Sequence, residues 1–305
     1  MSTMSRRRFL QHALFTSAGI AGLGAGVTAA AGQEAIHRVG GPKLKTSLNA
    51  YSFNRYLSNG DMTLDDLLEF CAKLNFDALD PTGYYFPGYP EVPDDDYIYH
   101  IKRKAFLLGL DISGTGVRQD FTDPDAASRQ ADVEHVRRWI EVASKLGAPV
   151  IRVFAGRGLP EGYSWEEAAA WSVAALKQCA AYGEQHGVVV AIQNHDDFIK
   201  TADQVKYLLK QVDSDWLGLI LDVGSFTTND PYEEIAAVAP YAVSWQIKEN
   251  LGYDDRTVKT DLHKIVRILR DVDYRGYIPI ETLGGDPREK VPWFLQQVRD
   301  ALAAS

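Results

Sequence analysis

From Lys43 onward the chain alternates short apolar runs with longer stretches whose apolar residues recur every three or four positions. A strand buried on both faces reads as a continuous hydrophobic run and its covering helix as one apolar stripe, so the alternation predicts repeated strand–helix units on a parallel sheet. Eight runs predict strands: TSLNAYSF (46–53), FDALDP (76–81), GLDISGTGV (109–117), PVIRVFAG (149–156), VVVAIQNH (188–195), LGLILDVG (217–224), AVSWQIKEN (242–250) and YIPIETLG (277–284). The segments between them carry helix signals. Leu64, Leu67, Leu68, Cys71 and Leu74 follow Thr63 on one helical face. Ser164 with Glu167 and Thr201 with Gln204 have capping-box spacing, and Asp123 followed by Pro124 predicts a cap with proline at the first helical position. Gly109, Gly147 and Gly187 fall where a left-handed residue would end a helix before the next strand.

Eight such units suit a (β/α)8 TIM barrel or an open doubly wound sheet. A doubly wound dinucleotide fold carries a glycine-rich turn after its first strand, whereas here NRYLSNGD follows, with no GxGxxG. The expectation is an α/β, single-domain barrel over residues 43–305 with no nucleotide cofactor. Residues 1–31 are set apart from it. The basic SRRRFLQ, a charge-free run rich in Gly and Ala, and the A-x-A site at Ala29 to Ala31 predict a twin-arginine export signal, with residues 32–42 as a short linker. That run is weaker in apolar residues than a spanning helix requires, so the protein is expected to be exported, periplasmic and free of the membrane once the signal is cleaved.

Charge narrows the partners. The 305 residues carry 32 Lys and Arg against 41 Asp and Glu, a formal net charge of −9, and losing Arg6, Arg7 and Arg8 with the signal makes the remainder more acidic. Such a surface argues against nucleic acid and anionic lipid. The two cysteines, Cys71 and Cys179, sit in helical patterns and read as buried thiols.

In a barrel of this kind the active site forms at the C-terminal strand ends. Those ends hold Tyr51, Asp80, Arg118, Arg152, Gln193 with His195, Asp222, Gln246 with Lys248, and Glu281. Side chains alternate along a strand, which puts Ala191, Gln193 and His195 on one face, Gln246 with Lys248 on another, and Arg152 with Phe154 on a third.

The last four ends, AIQNH, LILDVGS, SWQIKE and IPIETLG, resemble the series E-N-H, L-D-x-G-H, H-x-K-D and I-E of the xylose isomerase-like sugar phosphate isomerase/epimerase superfamily. The resemblance extends over the chain after residue 43, including SLNAYSF and GAPVIRVFAG. It implies a (β/α)8 barrel holding a divalent metal on Glu, Asp, His and Glu from strands five to eight, the glutamates also moving a proton next to a sugar carbonyl. Asp222 and Glu281 match in type and place. Gln193 stands where the first Glu is expected, Gln246 where the His is expected, and Ser225 where a further histidine follows the aspartate.

Those departures shape the chemistry. Amide oxygens coordinate hard cations, so Gln193, Asp222, Gln246 and Glu281 form a candidate site for Mn²⁺ or Mg²⁺ in preference to Zn²⁺. Glutamine does not titrate as a base, which leaves Glu281 as the base, with His195 and Lys248 as catalytic partners. Tyr51, Arg118, Arg152 and Asn194 are candidates for binding a small carbohydrate. The expected activity is that of a sugar isomerase or epimerase. Two alternatives stay open: a lyase or hydratase acting on keto-sugars or 3-keto-glycosides, which needs only one base, and a non-catalytic sugar-binding barrel. Endonuclease relatives with this fold would need a histidine-rich zinc cluster and a basic face, and neither is present at the matching positions. The aromatic segment TGYYFPGYPEVPDDDY (82–97) predicts either a wall for sugar rings or a packing surface, which includes contacts in a homo-oligomer. His100, His135, His186 and His263 fall on helical patterns and are expected on the outer surface.

Overall fold

A computed structural model describes residues 34–195, 197–227, 229–253 and 256–304. The export signal expected over residues 1–31 lies outside them. All eight predicted runs form strands, and nine parallel strands make a nearly closed barrel: β1 (Lys43–Asn49), β2 (Ala78–Asp80), β3 (Asp111–Ile112), β4 (Thr115–Gly116), β5 (Val150–Phe154), β6 (Val189–Gln193), β7 (Leu217–Asp222), β8 (Ala242–Lys248) and β11 (Arg275–Glu281). The order around the barrel is β3-β2-β1-β11-β8-β7-β6-β5-β4. β9 (Asn250–Tyr253) and β10 (Arg256–Lys259) form a separate antiparallel hairpin just past β8, which the hydrophobic pattern did not announce.

Nine strands arise from eight runs because the third run breaks at Ser113 and Gly114. Its first half pairs with β2 and its second with β5. The glycines explain the close passage: a Cβ on Gly114 would lie 2.9 Å from Val150 Cγ1, and one on Gly116 2.9 Å from Arg152 Nε. The first run also ends sooner than its apolar pattern suggests. The Asn49 side chain accepts from the Tyr51 amide at 2.9 Å and turns Ala50–Phe53 into a 3-10 helix.

Helices α1 (Asn54–Ser58), α2 (Leu64–Lys73), α3 (Asp95–Leu107), α4 (Ala126–Leu146), α5 (Trp165–His186), α6 (Ala202–Val212), α7 (Pro231–Val238), α8 (Leu262–Asp271) and α9 (Pro287–Ala303) lie between and after the strands. Capping boxes open three of them, at Thr63 with Asp66, Ser164 with Glu167 and Thr201 with Gln204. Gly109, Gly147 and Gly187 adopt φ of 72°, 83° and 69°, so each leaves its helix through a left-handed residue. The start of α4 differs from expectation. Its cap is Asp125, while the Asp123 carboxylate accepts from the Asp125 amide at 2.8 Å and keeps Pro124 in the preceding turn.

The principal core lies between strands and helices and includes Leu67, Ile140, Leu176, Leu208, Leu219 and Phe294, each 1% exposed or less. Truncating one such leucine to alanine is expected to cost about 2–5 kcal/mol, through lost burial plus the cavity left behind. A second, smaller cluster of Val150, Ala191 and Ile220 gathers residues two positions before Arg152, Gln193 and Asp222. Strand alternation therefore carries the same inward faces from apolar filling to polar groups. His135 departs from its expected surface place: it is buried, ring to ring with Tyr89 and Trp139. Cys71 and Cys179 are free and buried, and burial pushes both thiols up. No helix among the described residues is long and apolar enough to cross a membrane.

Candidate active site

Strand alternation delivers one side chain after another to the mouth of the barrel. A cavity of about 250 Å³ opens there, with Tyr51, Arg118, Arg152, Gln193, His195, Gln246, Lys248 and Glu281 in its lining. Asp222, fully buried, lies immediately beneath. Of the residues proposed for catalysis, metal and substrate, all but Asn194 are thus brought together. Asn194 is 0% exposed and outside the cavity lining. Its side chain donates to the Asp222 carbonyl at 2.8 Å and accepts from the Asp222 amide at 2.8 Å. It extends the β6–β7 pairing by one residue and holds Asp222 in place, which corrects its expected part in substrate binding.

Asp222 is held on every side. Oδ1 accepts from the Gly224 amide at 2.9 Å, and Oδ2 accepts from Gln193 Nε2 at 2.7 Å and from Lys248 Nζ at 2.6 Å. Lys248 Nζ also lies 3.6 Å from Glu281 Oε1, and Gln246 Nε2 donates to Glu281 Oε2. Two carboxylates therefore share one ammonium, and each receives one side-chain amide. Such a cluster tolerates burial because one ammonium offsets part of its negative charge and hydrogen bonds from N–H groups satisfy the carboxylates. Burial raises the Glu281 carboxyl above the usual carboxylate range, and the nearby Lys248 charge only partly offsets this. Burial by itself would lower the Lys248 ammonium, but Asp222 and Glu281 outweigh it and hold the group well above the usual lysine value.

The four residues expected to hold a divalent cation meet, yet their donors do not suit one. Both amides turn their NH2 groups, not their oxygens, toward the carboxylates, and an ammonium stands between the two acids. Among the described residues no group of three or more His, Cys, Asp or Glu is arranged to take a metal ion.

The opposite side of the mouth is aromatic and cationic. Arg152 donates from Nη1 to the Val117 carbonyl at 2.7 Å and from Nη2 to the Tyr84 hydroxyl at 2.6 Å, and its guanidinium lies 4.2 Å from the Phe154 ring centre. The exposed Arg118 guanidinium lies 4.9 Å from the Tyr84 ring centre. His195 stacks edge-on with Phe154, with Nδ1 2.9 Å from Asp197 Oδ2. Beneath Arg152, Asp80 is buried, and burial lifts its carboxyl to about 6 despite the nearby Arg152 charge.

Asn49, Tyr84 and Leu283 also line the cavity, and of these sequence reasoning missed Asn49 and Leu283. Leu283 lies two residues after Glu281 and Asn49 two before Tyr51, so two-residue spacing was an available signal. Tyr84 belongs to the aromatic segment, most of which packs elsewhere. Phe86 and Tyr89 meet Trp139, and Trp139 Nε1 donates to the Pro90 carbonyl at 3.1 Å, so Tyr84 serves the mouth while Phe86 and Tyr89 anchor the loop to α4.

A family model described as Xylose isomerase-like TIM barrel matches residues 68–298. Among solved structures, D-psicose 3-epimerase from Clostridium cellulolyticum H10, crystallised with D-tagatose, is similar at 18% identity and a TM-score of 0.70, over 85% of this chain and 99% of that one. The 3-keto-D-glucoside 4-epimerase of E. coli is 16% identical with a TM-score of 0.65, over 86% and 98% of the two chains. A probable 3-DHS dehydratase from Bacillus anthracis is 18% identical with a TM-score of 0.63, over 85% and 98%. At these identities the likeness is one of fold. The comparison with curated protein sequences finds no match.

Proposed function

Because this chain belongs to the Xylose isomerase-like TIM barrel family, we propose that it is a sugar isomerase/epimerase-like enzyme that moves a proton next to the carbonyl of a keto-sugar. The observation that carries this reading is the Glu281 carboxyl, buried at the floor of an open cavity and 3.6 Å from the Lys248 ammonium. A carboxylate raised above its ordinary range is a stronger base at neutral pH, and a fixed positive charge beside it stabilises negative charge as it develops on an enolate oxygen. Lys248 stays protonated, so it acts as a charge and not as an imine-forming amine. Asp222, with both oxygens occupied by donors, positions that charge and is not itself the base. Arg118, Arg152, Tyr51 and Tyr84 supply ring faces and N–H donors for the rest of a polyhydroxylated substrate.

A second reading is favoured by one residue. Gln193 occupies the place where a second acid–base group would complete a two-base epimerisation, and an amide cannot take that part. One base with one cation suits a proton shift through an enediol, or removal of a proton followed by loss of a hydroxyl or glycosidic oxygen, as a lyase or hydratase on keto-sugars or 3-keto-glycosides would perform. The folds of two sugar epimerases and a dehydratase support the same group of reactions. The reading also includes export by the twin-arginine route to the periplasm, which N-terminal sequencing of the protein from that compartment tests.

The decisive experiment incubates the protein in D2O with a panel of keto-sugars and 3-keto-glycosides and follows the C–H signals by NMR. Deuterium entering next to the carbonyl, abolished in Glu281→Gln, is the expected result. Release of a hydroxyl or aglycone selects the lyase reading, and no exchange with any member of the panel sinks both in favour of a binding barrel.

A further inference from the structure

We propose that the Lys248 ammonium takes the place of a divalent cation at these strand ends, so that the site is complete without a metal. Its geometry is that of a built cation site. Nζ lies 2.6 Å from Asp222 Oδ2 and 3.6 Å from Glu281 Oε1, while the lysine side chain is only 14% exposed and the two acids 0% and 5%. The neighbouring donors complete the shell. Gln193 Nε2 reaches the same Asp222 oxygen at 2.7 Å, Gln246 Nε2 reaches Glu281 Oε2, and the Gly224 amide takes Asp222 Oδ1 at 2.9 Å. Three of the four carboxylate oxygens are therefore hydrogen-bonded by an N–H and the fourth, Glu281 Oε1, faces the ammonium at 3.6 Å, while each glutamine offers its nitrogen to a carboxylate.

The lysine stem has its own seat. A Cβ on Gly224 would lie 2.7 Å from Lys248 Cδ, so the glycine two residues after Asp222 leaves the channel through which the stem runs. At its exit, Thr260 Oγ1 donates to the Lys248 carbonyl at 2.6 Å and the Thr260 amide donates to the Glu249 carbonyl at 2.9 Å, fixing the backbone on which the stem is mounted. The two carboxylates carry two negative charges and the lysine returns one. An added dication would have to displace the ammonium and turn both amides. This assignment concerns the resting site and stands apart from the proton-transfer reading; only the use of the ammonium to stabilise an enolate rests on that reading.

The test uses the full chain purified without chelator. Elemental analysis is expected to find Mn, Mg, Zn, Co and Fe far below one ion per chain, and the melting temperature is expected to be unmoved by EDTA or by added MnCl2. A bound dication at a hundredfold excess over its Kd would raise it by roughly 5–10 °C. Stoichiometric metal, or melting lowered by EDTA and restored by Mn²⁺, overturns the proposal. The double variant Gln193→Glu with Gln246→His supplies the two missing ligands and is expected to gain a Mn²⁺-dependent rise in melting temperature that the unaltered chain lacks; the same Mn²⁺ response in both proteins also overturns it. Absence of activity on every keto-sugar would defeat the functional reading while these binding and melting results still decide the lysine's role.

Discussion

Between β6 and β11 the barrel mouth is lined by charged and amide side chains that bond to one another, whereas between β2 and β5 it is lined by side chains that bond to backbone and to aromatic residues. On the first side, Gln193, Asp222, Lys248, Gln246 and Glu281 satisfy each other across three strand pairings. On the second, Arg152 holds the Val117 carbonyl and the Tyr84 hydroxyl, and Arg118 lies exposed over Tyr84. The strands differ accordingly. β6, β7, β8 and β11 run five to seven residues, while β2, β3 and β4 run two or three and only β5, which carries Arg152, reaches five. Long paired strands hold ionised groups at fixed separations, which proton transfer needs; short strands leading into loops leave room for a ligand-shaped surface. On the proposed reading, chemistry falls to one side and substrate recognition to the other.

The most severe way to break that division is Glu281→Gln, expected to lower deuterium exchange by about 10²–10⁴-fold with substrate affinity retained, because only the base is removed; exchange within a few-fold of the unaltered protein would place the base elsewhere. Next is Lys248→Met, which leaves two buried carboxylates without their shared cation. A loss of about 3–5 kcal/mol in denaturant unfolding is expected. Since Lys248 is what draws the Glu281 carboxyl down, its removal should shift the rising limb of the exchange–pH profile to higher pH; an unmoved limb would separate the two residues.

Asp80 tests the other side. Its folded carboxyl titrates near 6 against an ordinary value of 3.8, so the stability it contributes is fully present below the lower value and lost as pH rises through the higher one. The native chain should lose up to about 3 kcal/mol between pH 4 and 7 on this account, a slope that Asp80→Asn removes; identical pH profiles for the two proteins would contradict it. The mildest change is Arg118→Ala. The arginine is exposed, so melting should stay put while KM rises about tenfold at nearly constant kcat, equivalent to about 1.4 kcal/mol of uniform binding. A matching fall in kcat would move Arg118 to the chemical side.

Much of this was legible in the chain. Hydrophobic runs located every barrel strand, capping residues located two helix starts, and alternation along strands correctly joined Gln193 to His195, Gln246 to Lys248 and Arg152 to Phe154. What escaped depended on contacts between distant segments. Asn194 was read by its neighbours in sequence, whereas its partner is the backbone 28 residues away. His135 follows a helical pattern, but Tyr89 of the aromatic loop before α3 packs against it. The break between β3 and β4 follows from how closely Gly114 and Gly116 approach Val150 and Arg152 on the next strand.

The sequence by itself determined the eightfold strand–helix order, the faces that meet inside the barrel, and the presence of amides where the family pattern places Glu and His. Periodicity is a local property, and burying each apolar face leaves few alternatives to the barrel. Only the tertiary structure decided how the amides and the lysine are used. Rotamers of long polar side chains are set by their partners, and here those partners come from four different strands. Asp222 and Glu281 compete for one ammonium that Gly224 leaves room to enter, and that competition turns a sequence written like a metal site into a site compensated by lysine.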